Sequence, residues 1–130
     1  MGLKLTAIFS AGVGLFTLSA PTHSHHGTSI VYDLTQSITI SGTVTDFRLV
    51  NPHTLIYLNV SGEDGEVVGW MGGLISPIRL VRDEGWTGDT LKPGDEISVT
   101  GAPARGGEPS VWVEQIILND APLLHGEYTG

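Results

Sequence analysis

The 130-residue chain contains no cysteine. That excludes disulfide staples, thiolate nucleophiles and thiolate metal sites, so stability must come from a protein core, with or without help from a metal ion or oligomerisation. Basic residues are also scarce, six Lys and Arg against fourteen Asp and Glu, for a formal charge of -8. Such a surface repels phosphate backbones, and the expectation is that nucleic acid is not a partner. The one long apolar run, Leu5 to Leu18, is too short to span a bilayer comfortably, and nothing later reads as a stop-transfer helix. No serine sits in a Gly-x-Ser-x-Gly elbow, and neither a lysine nor a helix signal follows Gly106-Gly107. The common hydrolase and phosphate-loop signatures are therefore missing, and no catalytic or cofactor-binding residue is assigned.

The apolar run follows Lys4 and precedes a polar stretch of small residues, the pattern of a secretory signal. Ser19-Ala20 is one candidate cut site, but Pro21 follows it; Ser24, with Thr22 two residues earlier, is small at both required positions. Residues 1–24 are therefore expected to be a cleaved signal peptide, with the mature protein periplasmic or secreted from a bacterium and no integral span remaining. Loss of Lys4 leaves five basic residues against fourteen acidic ones.

The mature part, about a hundred residues, makes one domain at the small end of what can bury a core without staples. Residues 25–36 read as an N-terminal arm, 37–119 as the folded domain and 120–130 as a loosely ordered tail. Ser37 to Phe47 alternates with period two, placing Ile38, Ile40, Gly42, Val44 and Asp46 on one face and Thr39, Ser41, Thr43, Thr45 and Phe47 on the other. Thr54 to Val60 alternates likewise, and Glu63-Asp64-Gly65 is a hairpin turn into a third strand over Glu66 to Met71. Ser76 to Gly85 reads as one short helix, with serine at its start, Pro77 in the first turn and Gly85 at its end. Strands over Ile97 to Thr100 and Ser110 to Leu118 complete the chain. Three strands, a helix and two strands predict a mainly all-β, OB-like five-stranded barrel with a helix between strands 3 and 4; an open sandwich is the alternative. Gly42 and Gly69 suit places where a strand coils sharply. Trp70, Trp86 and Trp112 have apolar neighbours and read as core.

An ordered set of short motifs carries a resemblance. His25-His26-Gly27, Gly42-Thr43-Val44, Asn51-Pro52-His53, Gly85-Trp86, Leu91-Lys92-Pro93-Gly94-Asp95 and Gly101-Ala102-Pro103 together resemble a family of small exported bacterial proteins, domain of unknown function 6152. The resemblance covers essentially the whole mature chain. It implies an exported OB-like domain that begins with paired histidines and has an Asn-Pro-His turn after the first strand, and it implies no activity. The chain departs from the family pattern at Gly27-Thr28 and at Gly72-Gly73.

The chemistry concentrates in five histidines, at 23, 25, 26, 53 and 125. Imidazole suits copper, zinc, nickel and iron, and copper(II) binds most tightly among the common divalent ions. Cleavage after Ser24 would make His25 the first residue, able to chelate through its α-amine and ring. His53, stiffened by Pro52, supplies a further nitrogen. His25, His26 and His53 are thus the candidate metal ligands, with copper the candidate cofactor. Asp33, Asp46, Asp95 and Glu114 are carboxylates without a clear partner. Three readings follow: a metal-binding module, a metal-free module that binds an envelope protein or small molecule, and a copper-dependent oxidase. None fixes the oligomeric state.

Overall fold

The computed structural model describes Gly2 and residues 25–128. The expected signal peptide thus lies, Gly2 apart, outside the described residues. Strand β1 (Ile38–Arg48) serves two partners: its first half pairs antiparallel with β4 (Glu96–Pro103), its second half antiparallel with β2 (Leu55–Ser61), and Thr43 belongs to both. A strand shared in this way must bend. Two local features allow it. A Cβ at Gly42 would run into the backbone carbonyl of Asn59, so only glycine lets β1 and β2 approach there. Three residues on, Thr45 is skipped between the pairs Val44↔Leu58 and Asp46↔Tyr57, a β-bulge that adds twist.

The bulge also corrects the strict alternation expected over 37–47. That pattern places Phe47 on the face opposite Val44; with one residue skipped, Phe47 packs edge-on against Trp86, ring centroids 5.8 Å apart, while Asp46 pairs with Arg48.

From β2 the chain turns at Gly65, whose φ of 80° requires glycine, into β3 (Val67–Gly73). β3 pairs in parallel with β5 (Ser110–Leu118), and β5 pairs antiparallel with β4. The order β3-β2-β1-β4-β5 with β3 joined to β5 is a closed ring, the topology of an OB-like barrel. The five-stranded barrel expected from the sequence is therefore the observed fold. A short strand β6 (Ala121–Pro122) is added to β5.

One core fills the barrel, with Val44, Ile56, Leu58, Val99, Val111, Val113 and Ile116 pointing inward. Between β3 and β4, helix α2 (Pro77–Arg79) widens into a π-helical turn, Leu80–Glu84, that ends at Gly85 with φ 72°. Ser76 does not cap this helix with its side chain; its carbonyl accepts the N–H groups of Arg79 and Leu80 instead. Leu80, Trp86 and Leu91 seal this part of the core.

Where an N-terminal arm was expected, the described residues open with helix α1 (His25–Val31). Asp33 N–H donates to the Pro103 carbonyl, Arg105 N–H to that of Val31, and the Tyr32 hydroxyl shares a buried hydrogen bond of 2.9 Å with Ser110. These bonds hold the segment after α1 against the end of β4 and the start of β5.

The stretch from 120 onward, expected to be loose, is tied down through Tyr128. Trp86 Nε1 donates to the Leu123 carbonyl, and the Gln115 side chain bonds the backbone of Leu124 in both directions. The Glu84 carboxylate, its side chain 2% exposed, accepts from the backbone N–H of His125 and of Gly126 and from the Tyr128 hydroxyl, and bonds the His125 ring. Burial alone would raise the Glu84 carboxyl, but these hydrogen bonds outweigh it and lower its pKa to about 2. The same burial and bond push Tyr128 up to about 12.

Two predictions follow from this architecture. Gly42→Ala should cost about 1–3 kcal/mol in urea unfolding, whereas Gly69→Ala, where a Cβ meets nothing within 4 Å, should stay within about 0.5 kcal/mol. For Glu84, a carboxyl near 2 when folded and near its ordinary 4.5 when unfolded stabilises fully above about pH 5, and that stability falls away as pH drops toward 2. The wild type should lose on the order of 3 kcal/mol over that interval by this route, and Glu84→Gln should unfold more easily at pH 7 with a flatter profile below pH 5.

Candidate functional site

The barrel's own register assembles a pocket beside the β1–β2 turn. β2 pairs with β3 so that Leu55 lies opposite Gly73, and β3 pairs with β5 so that Gly73 lies beside Trp112. The Trp112 ring lies 3.4 Å from where a Gly73 side chain would begin, so the bare glycine leaves room beside the indole. The turn itself is fastened by Thr54, whose N–H donates to the Ile75 carbonyl and whose carbonyl accepts from Leu74. The Asn51–Pro52 peptide in this turn is cis.

This arrangement fixes His53. Its ring packs edge-on against Trp112, centroids 5.2 Å apart and planes at 89°, while the residue stays exposed. Tyr32 packs against the same indole at 6.0 Å. His53, Leu55, Met71, Gly73 and Trp112 form one side of a cavity of about 230 Å³, and Gly27, Thr28, Val31 and Tyr32 from α1 and its end form the other. The lining is mainly apolar and contains no carboxylate among the described residues. Two buried polar atoms in this region, Trp112 Nε1 and Thr54 Oγ1, have no hydrogen-bond partner among the described residues.

The structure brings His53 and the start of α1 together. The backbone of His25 and His26 forms the first two positions of α1, directly before Gly27 and Thr28, while their side chains lie outside the described residues, as does His23. His125 is elsewhere in the fold, its ring 2.9 Å from the Glu84 carboxylate. Among the described residues no three His, Asp, Glu or Cys side chains gather in a metal-sized cluster.

Three of the four carboxylates singled out from the sequence, Asp33, Asp46 and Asp95, are engaged with other partners and not with one another. Asp33 accepts from the Thr35 backbone and hydroxyl and from Gln36, which with Arg105 nearby lower its pKa despite partial burial. Asp46 pairs with Arg48 Nε at 2.7 Å, and Asp95 accepts the Lys92 N–H. A second, open groove of about 330 Å³ lies by Ser41, Ser98 and Asp120, away from the histidines.

Met71 and Trp112 are pocket residues that sequence reading did not assign. Trp112 is core, as expected, and also forms a wall of the cavity. Met71 carried a signal that was there to be read, because the chain has only two methionines and the other is Met1. No described helix is long and apolar enough to cross a membrane.

The fold has solved counterparts. The chain is similar to the mitochondrial single-stranded DNA-binding protein of S. cerevisiae, at 14% identity and TM-score 0.48 over 65% of this chain and 93% of that one. It is also similar to the second single-stranded DNA-binding protein of Mycobacterium smegmatis, at 12% identity and TM-score 0.44 over 65% and 88%. A third is the small single-stranded DNA-binding protein of Streptomyces coelicolor, at 15% identity and TM-score 0.40 over 65% and 92%. The expectation that nucleic acid is excluded is corrected: OB barrels as a class include oligonucleotide binders, and these neighbours are named as single-stranded DNA-binding proteins. Net charge describes the whole surface and does not rule out a local contact. The likeness itself is one of fold and assigns no ligand to this chain. No curated protein matches it in sequence. The model of a family of unknown function, DUF6152, matches residues 13–111, and the chain belongs to that family.

Proposed function

We propose that this barrel is an exported metal-binding module, with copper its ion, and that His53 and the N-terminal pair His25 and His26 supply the nitrogen ligands. One observation carries the reading: the two residues that follow His26 line the same cavity as His53. A segment that must pass this cavity brings its first two residues to within a helical turn of it. The β1–β2 turn fixes the other ligand, because Thr54 is bonded on both sides to the segment leaving β3 and Trp112 supports the His53 ring. Second contacts of this kind orient a ligand and tune its affinity.

Cleavage after Ser24 would add an α-amine at His25, making a chelate from one residue. Cu(II) leads the divalent series for such nitrogen donors. The mature protein would then carry or sequester the ion in the bacterial envelope, with no catalytic step assigned to it.

The test uses protein exported from the full-length precursor. Its intact mass should begin at His25, and a copper titration should show one tight site that His53→Ala weakens at least about tenfold. Because His53 is exposed, the substitution should cost the fold only about 1 kcal/mol, the worth of one aromatic contact. An unchanged affinity in His53→Ala, or no copper bound by the exported form, would overturn the proposal in favour of a metal-free interaction domain.

A further inference from the structure

Among the residues that line the cavity is Met71, which carries the only sulfur atom of the chain outside Met1, because there is no cysteine and Met71 is the second of two methionines. We infer that the site selects copper in its monovalent state, with the Met71 thioether and the His53 imidazole as its two donors from the barrel. This inference rests on the proposed copper function and adds the oxidation state and a ligand.

A methionine in a small β-barrel is most often a gap filler, chosen because its flexible chain fits irregular space. Met71 does not play that part: it is half-buried and borders a cavity of about 230 Å³ that it leaves unfilled. Its place is fixed by the sheet, opposite Tyr57 on β2 and beside Ser110 on β5, with its N–H donated to the Pro109 carbonyl. Met71 therefore lines, from a paired strand, the same cavity as the His53 of a fastened turn.

The remaining lining decides which ion suits those donors. Val31, Leu55 and Trp112 make the walls apolar, and no carboxylate among the described residues offers a counter-charge. The cost of taking an ion out of water rises with the square of its charge, so such a cavity penalises a dication far more than a monocation. Thioether is a soft donor that suits Cu(I) better than the harder Cu(II). A soft lining without a counter-charge thus favours the monovalent ion over a dication at this site.

The two copper states separate the inference from the function beneath it. Exported protein is titrated anaerobically with Cu(I) against a chromogenic Cu(I) chelator, and in parallel with Cu(II), as wild type, Met71→Leu and His53→Ala. Leucine conserves volume, and an unchanged melting temperature confirms that the barrel is intact. Expected is a loss of Cu(I) affinity of at least about tenfold in Met71→Leu with less than about a twofold change for Cu(II), while His53→Ala weakens both. X-ray absorption of the Cu(I) form should show a sulfur ligand in the wild type and none in Met71→Leu. Equal behaviour of wild type and Met71→Leu toward Cu(I), or tight Cu(II) binding without Cu(I) binding, would overturn this inference and leave the proposed function standing. Failure to bind copper in either state would overturn both.

Discussion

The structure depends on one strand being shared between two neighbours. β1 has eleven residues because it must pair with β4 along its first half and with β2 along its second. A flat strand cannot do both in a ring of five. Gly42 removes the side chain where β1 presses on β2, and the bulge at Thr45 adds the twist that completes the bend. Once β1 is bent, β3 reaches β5, and their parallel register closes the barrel.

Closure also makes the pocket. Gly73 sits between Leu55 on one neighbour and Trp112 on the other, so the bare position, the indole and the β1–β2 turn meet by register alone. Helix α1 then closes the remaining side, held by Tyr32, Asp33 and Arg105 against β4 and β5. Glu84 performs a comparable service for the C-terminal segment, where one buried carboxylate gathers two backbone N–H groups, a hydroxyl and an imidazole. These two fastenings draw both ends of the described chain onto the barrel, which offsets the small core expected at this length.

Much of this was legible in the residues because strands announce themselves by period two and turns by glycine. The last strand falls on Ser110–Leu118, as read, and Gly85 ends the helix where its left-handed φ is needed. The misreadings share a cause, which is that local pattern does not report tertiary contacts. The bulge at Thr45 has no marker of its own in Ser41 to Phe47, so the face of Phe47 was inverted. The segment after Asp120 is short and glycine-containing, and its order comes from residues distant in sequence, Glu84, Trp86 and Gln115, and from the pairing of β6 with β5. His53 could be singled out from its proline-stiffened turn, but Trp112 beside it could not, since the two are joined only through the register of three strands. Charge misled differently: a net value bears on steering over the whole surface and cannot exclude a partner for a given fold.

The copper site proposed between α1 and the β1–β2 turn would be visible in an anomalous-scattering map collected at the copper edge from crystals of the copper-loaded exported protein. A single strong peak in the cavity beside His53, bounded by Thr28 and Met71, is the predicted result. A peak at His125 and Glu84, or scattered weak peaks along the acidic surface with nothing at His53, would contradict the account.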